Sequence, residues 1–176
     1  MLVLFKQDYF LKHILRVSIY LNRDSLDCWE SLFYLLNFHK IYKTKSAIVA
    51  TGADSIWLNV PGEMQLRGKG VSTCATCDAF FFRNKDVIVV GGGDSAMEEA
   101  LFLSQMTKSV TIVHRRGEFR ASKAMQNKVL NYKKIKIIWD TQLTKYNGSE
   151  KLGSVNLKNS KTGKESEMKI DGVFVA

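Results

Sequence analysis

Six residues, Gly91-Gly92-Gly93-Asp94-Ser95-Ala96, restrict the fold of this chain more than any other stretch. They follow an apolar run, Val87-Ile88-Val89-Val90, and open a segment whose apolar positions are Ala96, Ala100, Leu101 and Leu103. Glu98 and Glu99 interrupt that segment and are expected to face outward. Gly91, Gly93 and Ala96 fill the positions of a G-x-G-x-x-A turn. In such a turn the first glycine permits a tight bend after the strand, and the second lets backbone approach a pyrophosphate. The alanine keeps the helix close to the sheet, and the helix N-terminus offers N–H donors to phosphate oxygens. A strand before the turn and a helix after it lift this pattern above a chance glycine cluster.

The flanking text agrees with a parallel sheet. The pattern predicts strands over 86–90, 110–113 and 135–139 and helices over 95–106 and 121–132, a right-handed βαβαβ unit. The strands are continuously apolar, as expected where both faces are covered. Segments 141–145, 154–158 and 167–170 alternate and are separated by Asn147-Gly148 and Thr162-Gly163, which predicts an antiparallel meander. Residues 172–176 read as a returning parallel strand. The fold class expected is α/β.

Upstream, Ala47-Ile48-Val49-Ala50 reads as a short buried strand closed by Thr51-Gly52-Ala53, with a loop from Asp54 to the Pro61-Gly62 turn. Residues 1–45 carry no nucleotide or metal motif. Leu11, Ile14, Leu15 and Ile19, and then Leu32, Leu35 and Leu36, stand at near-helical spacing, so a helical leader is expected there. The expected division is 1–45, 46–60 and 61–176.

The net charge of +9 comes from 26 Lys and Arg against 17 Asp and Glu, spread along the chain without a block of five. That spread predicts a solvated basic surface and argues against a nucleic-acid partner. The apolar start, Met1 to Phe5, is broken at once by Lys6 and Asp8. No window reaches the ~18–20 uncharged residues of a membrane span, so no membrane association and a cytoplasmic location are expected.

Two of the three cysteines, Cys74 and Cys77, are three residues apart, and Cys28 stands alone. A zinc site would need further ligands, and no second cysteine pair or nearby histidine pair exists, so no metal is expected. A structural disulfide across two residues would constrain little chain. A redox dithiol suits the spacing better, with Asp78 beside Cys77 as a carboxyl group for proton transfer. At the end of the 110–113 strand the chain carries His114-Arg115-Arg116, with Arg120 four residues on. An NAD site would place an acid there to hold ribose hydroxyls. Guanidinium groups match a 2′-phosphate instead, which predicts NADPH.

Together, Cys74-Ala-Thr-Cys-Asp78, Gly91 to Ala100, Val113 to Ser122, Ala50 to Ala53 and Asp171 to Ala176 resemble the low-molecular-weight thioredoxin reductases of bacterial type. The likeness runs over roughly residues 44–176. It implies a Rossmann-like NADPH-binding domain that carries the dithiol, plus a remnant of an FAD-binding domain over 46–60. It also implies NADPH-dependent reduction of thioredoxin through FAD and Cys74–Cys77, with Asp78 as proton donor. Gly91, Gly92, Gly93, Asp94, Ser95 and Ala96 match the NADPH turn. His114, Arg115, Arg116 and Arg120 match the 2′-phosphate site, and Thr51, Gly52 and Ala53 match a loop near FAD. The family forms homodimers. A non-catalytic NADPH-binding module and a reductase of a peroxiredoxin-type partner are the alternatives. Ala79 replaces the glycine usual after the family's aspartate, an expected tightening of the turn. The family's first FAD-binding turn has no counterpart in residues 1–45, and the family continues past residue 176. The chain therefore reads as a truncated member, expected to be inactive alone for want of a flavin carrier.

Overall fold

The computed structural model describes residues 54–176 in full. Before them it describes the backbone of four strands, β1 (Leu2–Phe5), β2 (Phe33–Asn37), β3 (Lys40–Thr44) and β4 (Ala47–Ala50). The chain divides into two units, residues 1–54 and 55–176. In the first, β1 and β4 pair in parallel, Leu2 opposite Ala47, and β2 and β3 pair antiparallel, Phe33 opposite Thr44. Where a helix was expected at Leu35 and Leu36 there is therefore a strand, and Leu32 lies outside the described residues. Aromatic and β-branched residues (Phe33, Tyr34, Ile41, Tyr42, Thr44) favour the extended pairing over the helical spacing of the leucines. The spacing of Leu11, Ile14, Leu15 and Ile19, as well as Cys28 and Thr51-Gly52-Ala53, lies outside the described residues.

The second unit opens with α1 (Glu63–Leu66), the short edge strand β5 (Val71–Ser72) and α2 (Ala75–Asp78), which runs into a 3-10 turn over Ala79–Phe82. There follow β6 (Asp86–Val90), α3 (Asp94–Met106), β7 (Ser109–Val113), α4 (Lys123–Leu130) and β8 (Ile135–Ile138). Then come β9 (Thr141–Gly148), β10 (Leu152–Asn159), β11 (Glu165–Lys169) and β12 (Gly172–Val175). The sheet order is β5-β12-β6-β7-β8, parallel throughout, and β11-β10-β9 form the antiparallel meander. The βαβαβ unit, the meander and the returning strand all stand where the pattern placed them. The two-residue strand β5 is too short for any periodicity to reveal.

Alternation along the central strand assigns the two cores. Val87 and Val89 face α3 and α4, where they meet Ala96, Met97, Ala100 and Leu103, while Ile88 faces the meander with Leu143, Tyr146 and Val155. Covering both faces is what permits so apolar a strand. In β9 the inward residues run Thr141, Leu143 and then Tyr146, a skip of three. The skip is a β-bulge. Leu143 opposes Leu157 and Lys145 opposes Asn156, so Thr144 is the extra residue, and its hydroxyl donates to the Asn156 carbonyl at 3.2 Å.

The segment ahead of α1 is held by one carboxylate. Glu63, 2% exposed, accepts hydrogen bonds from the backbone N–H of Leu58 at 3.1 Å and of Asn59 at 2.8 Å. The Tyr146 hydroxyl donates to it at 3.4 Å, and the Arg67 guanidinium lies 3.6 Å away and stacks 3.8 Å over Trp57. Burial, with the Glu63 charge beside it, pushes the Tyr146 phenol well above its ordinary range, so it stays a donor. Among the described residues no helix is long and apolar enough to cross a membrane.

Glu63→Ala leaves two part-buried N–H groups and a guanidinium without their acceptor. It is expected to cost about 2–4 kcal/mol of stability, read as a fall in the denaturant midpoint. Tyr146→Phe, which removes one long hydrogen bond, should cost about 1 kcal/mol or less.

Candidate functional site

Two turns carry the residues singled out by sequence, and α3 joins them. The first is the dithiol turn. The edge strand β5 delivers Ser72, whose hydroxyl accepts from the Cys74 N–H at 3.0 Å. Cys74 then caps α2: its backbone is extended, and its sulfur accepts from the Cys77 N–H at 3.2 Å. One helical turn sets the two cysteines 5.3 Å apart at Cα, and they form a disulfide. Cys77 is exposed and Cys74 half-buried. Asp78, also half-buried, lines an open cavity of about 340 Å³ together with Ser72, Phe81, Lys69, Lys85 and Lys151.

Ala79 fits where a glycine was the family expectation. Its backbone is helical at φ −53° and ψ −30°, and its methyl is buried among the α3 contacts. This conformation puts no strain on a Cβ. Phe82 turns into the core, edge-to-face with Phe174 at 5.2 Å. Phe80 and Phe81 stay out, 63% and 67% exposed, as an edge-to-face pair with the Arg83 guanidinium 4.8 Å from the Phe80 ring.

The second is the glycine turn, and its three glycines answer to three different neighbours. A Cβ on Gly91 would lie 2.7 Å from the Ala176 carbonyl oxygen and 2.8 Å from the Ala96 methyl. One on Gly92 would strike the imidazole of His114, and one on Gly93 would meet open space. Gly91 and Gly92 are thus demanded by packing, whereas Gly93 is spared a side chain on the side open to a ligand. The requirement at Gly92 was not visible in the sequence, because the neighbour that imposes it lies 22 residues away.

The segment after β7 folds back over this turn. The N–H groups of Arg120 and Ala121 donate to the Gly92 carbonyl at 2.8 and 3.2 Å. The Asp94 carboxylate accepts from the Ser122 N–H at 2.9 Å, which holds Asp94 below the usual carboxylate range. Asp94, Ser95, Arg115, Arg116 and Arg120 are all exposed, the first two at the start of α3 and the arginines on the segment that folds back over the turn. His114 is not with them. It is 5% exposed, packed near Phe119 at 5.6 Å and Trp139 at 6.2 Å, and its Nε2 is buried without a hydrogen-bond partner. Burial lowers its pKa, the carbonyls of Glu118 and Gly91 beside the ring oppose that, and Arg116 and Arg120 add to it. A neutral imidazole shapes the floor of the turn, and the exposed cations are the three arginines.

Glu99 also departs from expectation. It is half-buried, with Oε2 fully covered and unpartnered, and the neighbouring backbone group is Ala75 of the dithiol turn. The helical period carried the signal. Glu99 stands three residues after Ala96 and four before Leu103, at the flank of the buried stripe. Burial raises its carboxyl to about 7, against a smaller opposing pull from Ala75.

A profile described as pyridine nucleotide-disulphide oxidoreductase matches residues 17–176. The chain is 49% identical over 136 residues to the thioredoxin reductase of Streptomyces coelicolor, covering 77% of this chain and 42% of that protein. It is 51% identical over 135 residues to that of Mycolicibacterium smegmatis, covering 77% and 43%. Among solved structures, thioredoxin reductase from Lactococcus lactis superposes with a TM-score of 0.71 at 43% identity, covering 82% of this chain and 48% of that one. The enzyme from Giardia duodenalis gives 0.73 at 39%, covering 82% and 48%. The chain thus spans less than half the length of these relatives.

Gly92→Ala is expected to lower the melting temperature, as overpacking of about 1–3 kcal/mol against the His114 ring requires. His114→Ala in the same chain should recover part of that loss, a coupling read from thermal unfolding of the four variants in the cycle.

Proposed function

The chain belongs to the pyridine nucleotide-disulphide oxidoreductase family, and on that premise we propose that it is the dinucleotide-binding and dithiol-bearing part of an NADPH-dependent thioredoxin-disulfide reductase. The observation that carries the reading is an open glycine turn, three exposed arginines on the segment that folds back over it, and a Cys74–Cys77 disulfide in the turn packed on α3.

The described residues fit the dinucleotide. The open face of Gly93 and the start of α3, where Gly93 caps the helix with no side-chain hydrogen bond, leave backbone donors free for a pyrophosphate. Arg115, Arg116 and Arg120 would hold the 2′-phosphate, and the residue that directly follows the strand is His114 and not the acid of an NAD site. NADPH supplies a hydride when bound, and in this family a flavin relays its two electrons to the disulfide. Thr51, Gly52 and Ala53, matched by resemblance to the flavin side, are proposed as part of that loop.

What this chain's own residues contribute is the disulfide chemistry. Two electrons break the Sγ–Sγ bond of Cys74 and Cys77. Asp78 gives a proton to one sulfur and later takes it back, and a thiolate attacks the partner's disulfide through a mixed disulfide that the second cysteine resolves. Exposed Phe80 and Phe81, three and four residues beyond Cys77, offer a small dithiol protein such as thioredoxin an apolar contact beside the sulfur atoms. Homodimer formation and a cytoplasmic setting follow the family in this proposal.

Replacing Arg115 and Arg116 with Ala should weaken NADPH binding by roughly 10- to 100-fold and leave NADH within a few-fold, measured by nicotinamide fluorescence titration. Equal loss for both would sink the assignment. Gly93→Ala, which meets no protein atom, should keep its melting temperature yet lose affinity for both nucleotides.

A further inference from the structure

Among the described residues, the carboxylate of Glu99 reaches from α3 toward the dithiol turn and has no role in the chemistry above. It does not sit on the surface with Glu98. Its Oε2 is covered and has no hydrogen-bond partner, while the carboxylate accepts a hydrogen bond from the backbone N–H of Ala75, the residue that follows Cys74 and opens α2. Charged side chains on the elements packed against α3 are Asp78 of α2, Asp86 of β6, Lys123 and Lys128 of α4 and Lys136 of β8, with Asp94 and Glu98 on α3 itself. Among the described residues none forms an ion pair with Glu99, and none contributes to its titration. A carboxylate left half-buried and without a counter-ion, one backbone step from a redox cysteine, is costly unless it can take up a proton.

We propose that Glu99 is a charge-compensating residue of the dithiol turn: when the Cys74–Cys77 disulfide is opened and a thiolate forms, the Glu99 carboxylate takes up a proton from solvent. The step balances. Two electrons from an external dithiol, or from the reductase's own donor, break the Sγ–Sγ bond; one sulfur takes a proton and becomes a thiol, the other remains a thiolate, and Glu99 changes from anion to acid. The negative charge gained at sulfur is lost at Glu99, so the net charge of the turn is unchanged. Glu99 is a positioning residue, since it acts through the proton balance of the cysteines and takes no part in the bond exchange. Its ordinary carboxyl value is raised to about 7 by burial, which places its titration in the range where a thiolate begins to form. The proposal rests on the dithiol being redox-active, as the preceding reading requires.

The test uses the 176-residue chain, its Glu99→Gln variant and, as a control on the exposed neighbour, Glu98→Gln. Each is equilibrated with glutathione redox buffers at pH 5.5 and pH 8. At pH 8 the wild-type carboxylate opposes the thiolate, so Glu99→Gln should hold the dithiol form more stably by roughly three- to tenfold and its cysteine should alkylate faster by a similar factor. At pH 5.5, where Glu99 is neutral, wild type and variant should coincide, and Glu98→Gln should match wild type throughout. A merely structural role would shift the variant equally at both pH values, and that result, or no shift at pH 8, overturns the proposal. The unmodified chain gives a second reading that needs no variant to fold. Its reduced-minus-oxidised infrared difference spectrum near pH 7 should show a gain of protonated carboxyl, and absence of that gain also overturns it. Failure of any dithiol reagent to open Cys74–Cys77 would instead overturn the functional reading and, with it, this one.

Discussion

The absence of a side chain at Gly91 and Gly92 is the constraint from which the rest of the second unit follows. Only because neither carries a Cβ can β6 turn so sharply into α3 while the Ala96 methyl, the Ala176 carbonyl and the His114 ring crowd the same few ångströms. That crowding presses α3 onto the sheet, and α3 in turn carries the surfaces on which the dithiol turn and α4 rest. A larger residue at either position would push the helix outward, and with it both of the turns that it joins.

Legibility divided along the same line. The succession from β6 to β8 was readable because each element is specified by its own residues: continuous apolar runs, a glycine turn, and helical spacing between them. The meander was readable from alternation and its Asn-Gly and Thr-Gly turns, though Thr144 shifted the alternation midway. What the sequence could not display were features defined by remote neighbours. His114 reads as a cation beside two arginines, yet the tertiary fold turns it inward under Gly92. Glu99 reads as half of an exposed acidic pair, yet one of its oxygens is buried without a partner. Leu35 and Leu36 fit a helix by spacing, but pairing with β3 outweighed local preference.

At the sites, residue identity was easier to read than residue placement. Cys74, Cys77, Asp78, Gly93 and the exposed arginines were all nameable from motif chemistry, since a dithiol and a phosphate cradle need particular atoms in a particular order. Ser72 and Glu99, which touch the backbone around the cysteines, have no motif of their own. Such supporting groups are chosen by space and burial, and many side chains of similar size would have looked equally suited before the fold was known.

Two phenyl rings left in water beside the disulfide have a colloidal consequence as well. Phe80 and Phe81 form an apolar spot that would gain by meeting its copy on another molecule, and Arg83 covers only part of one ring. The excess of nine positive charges keeps like molecules apart over about 8–10 Å at ordinary ionic strength, a repulsion that an oppositely charged visitor does not feel. That repulsion acts on the molecule as a whole, so the apolar spot gains relative weight as added salt shortens the reach of the charge.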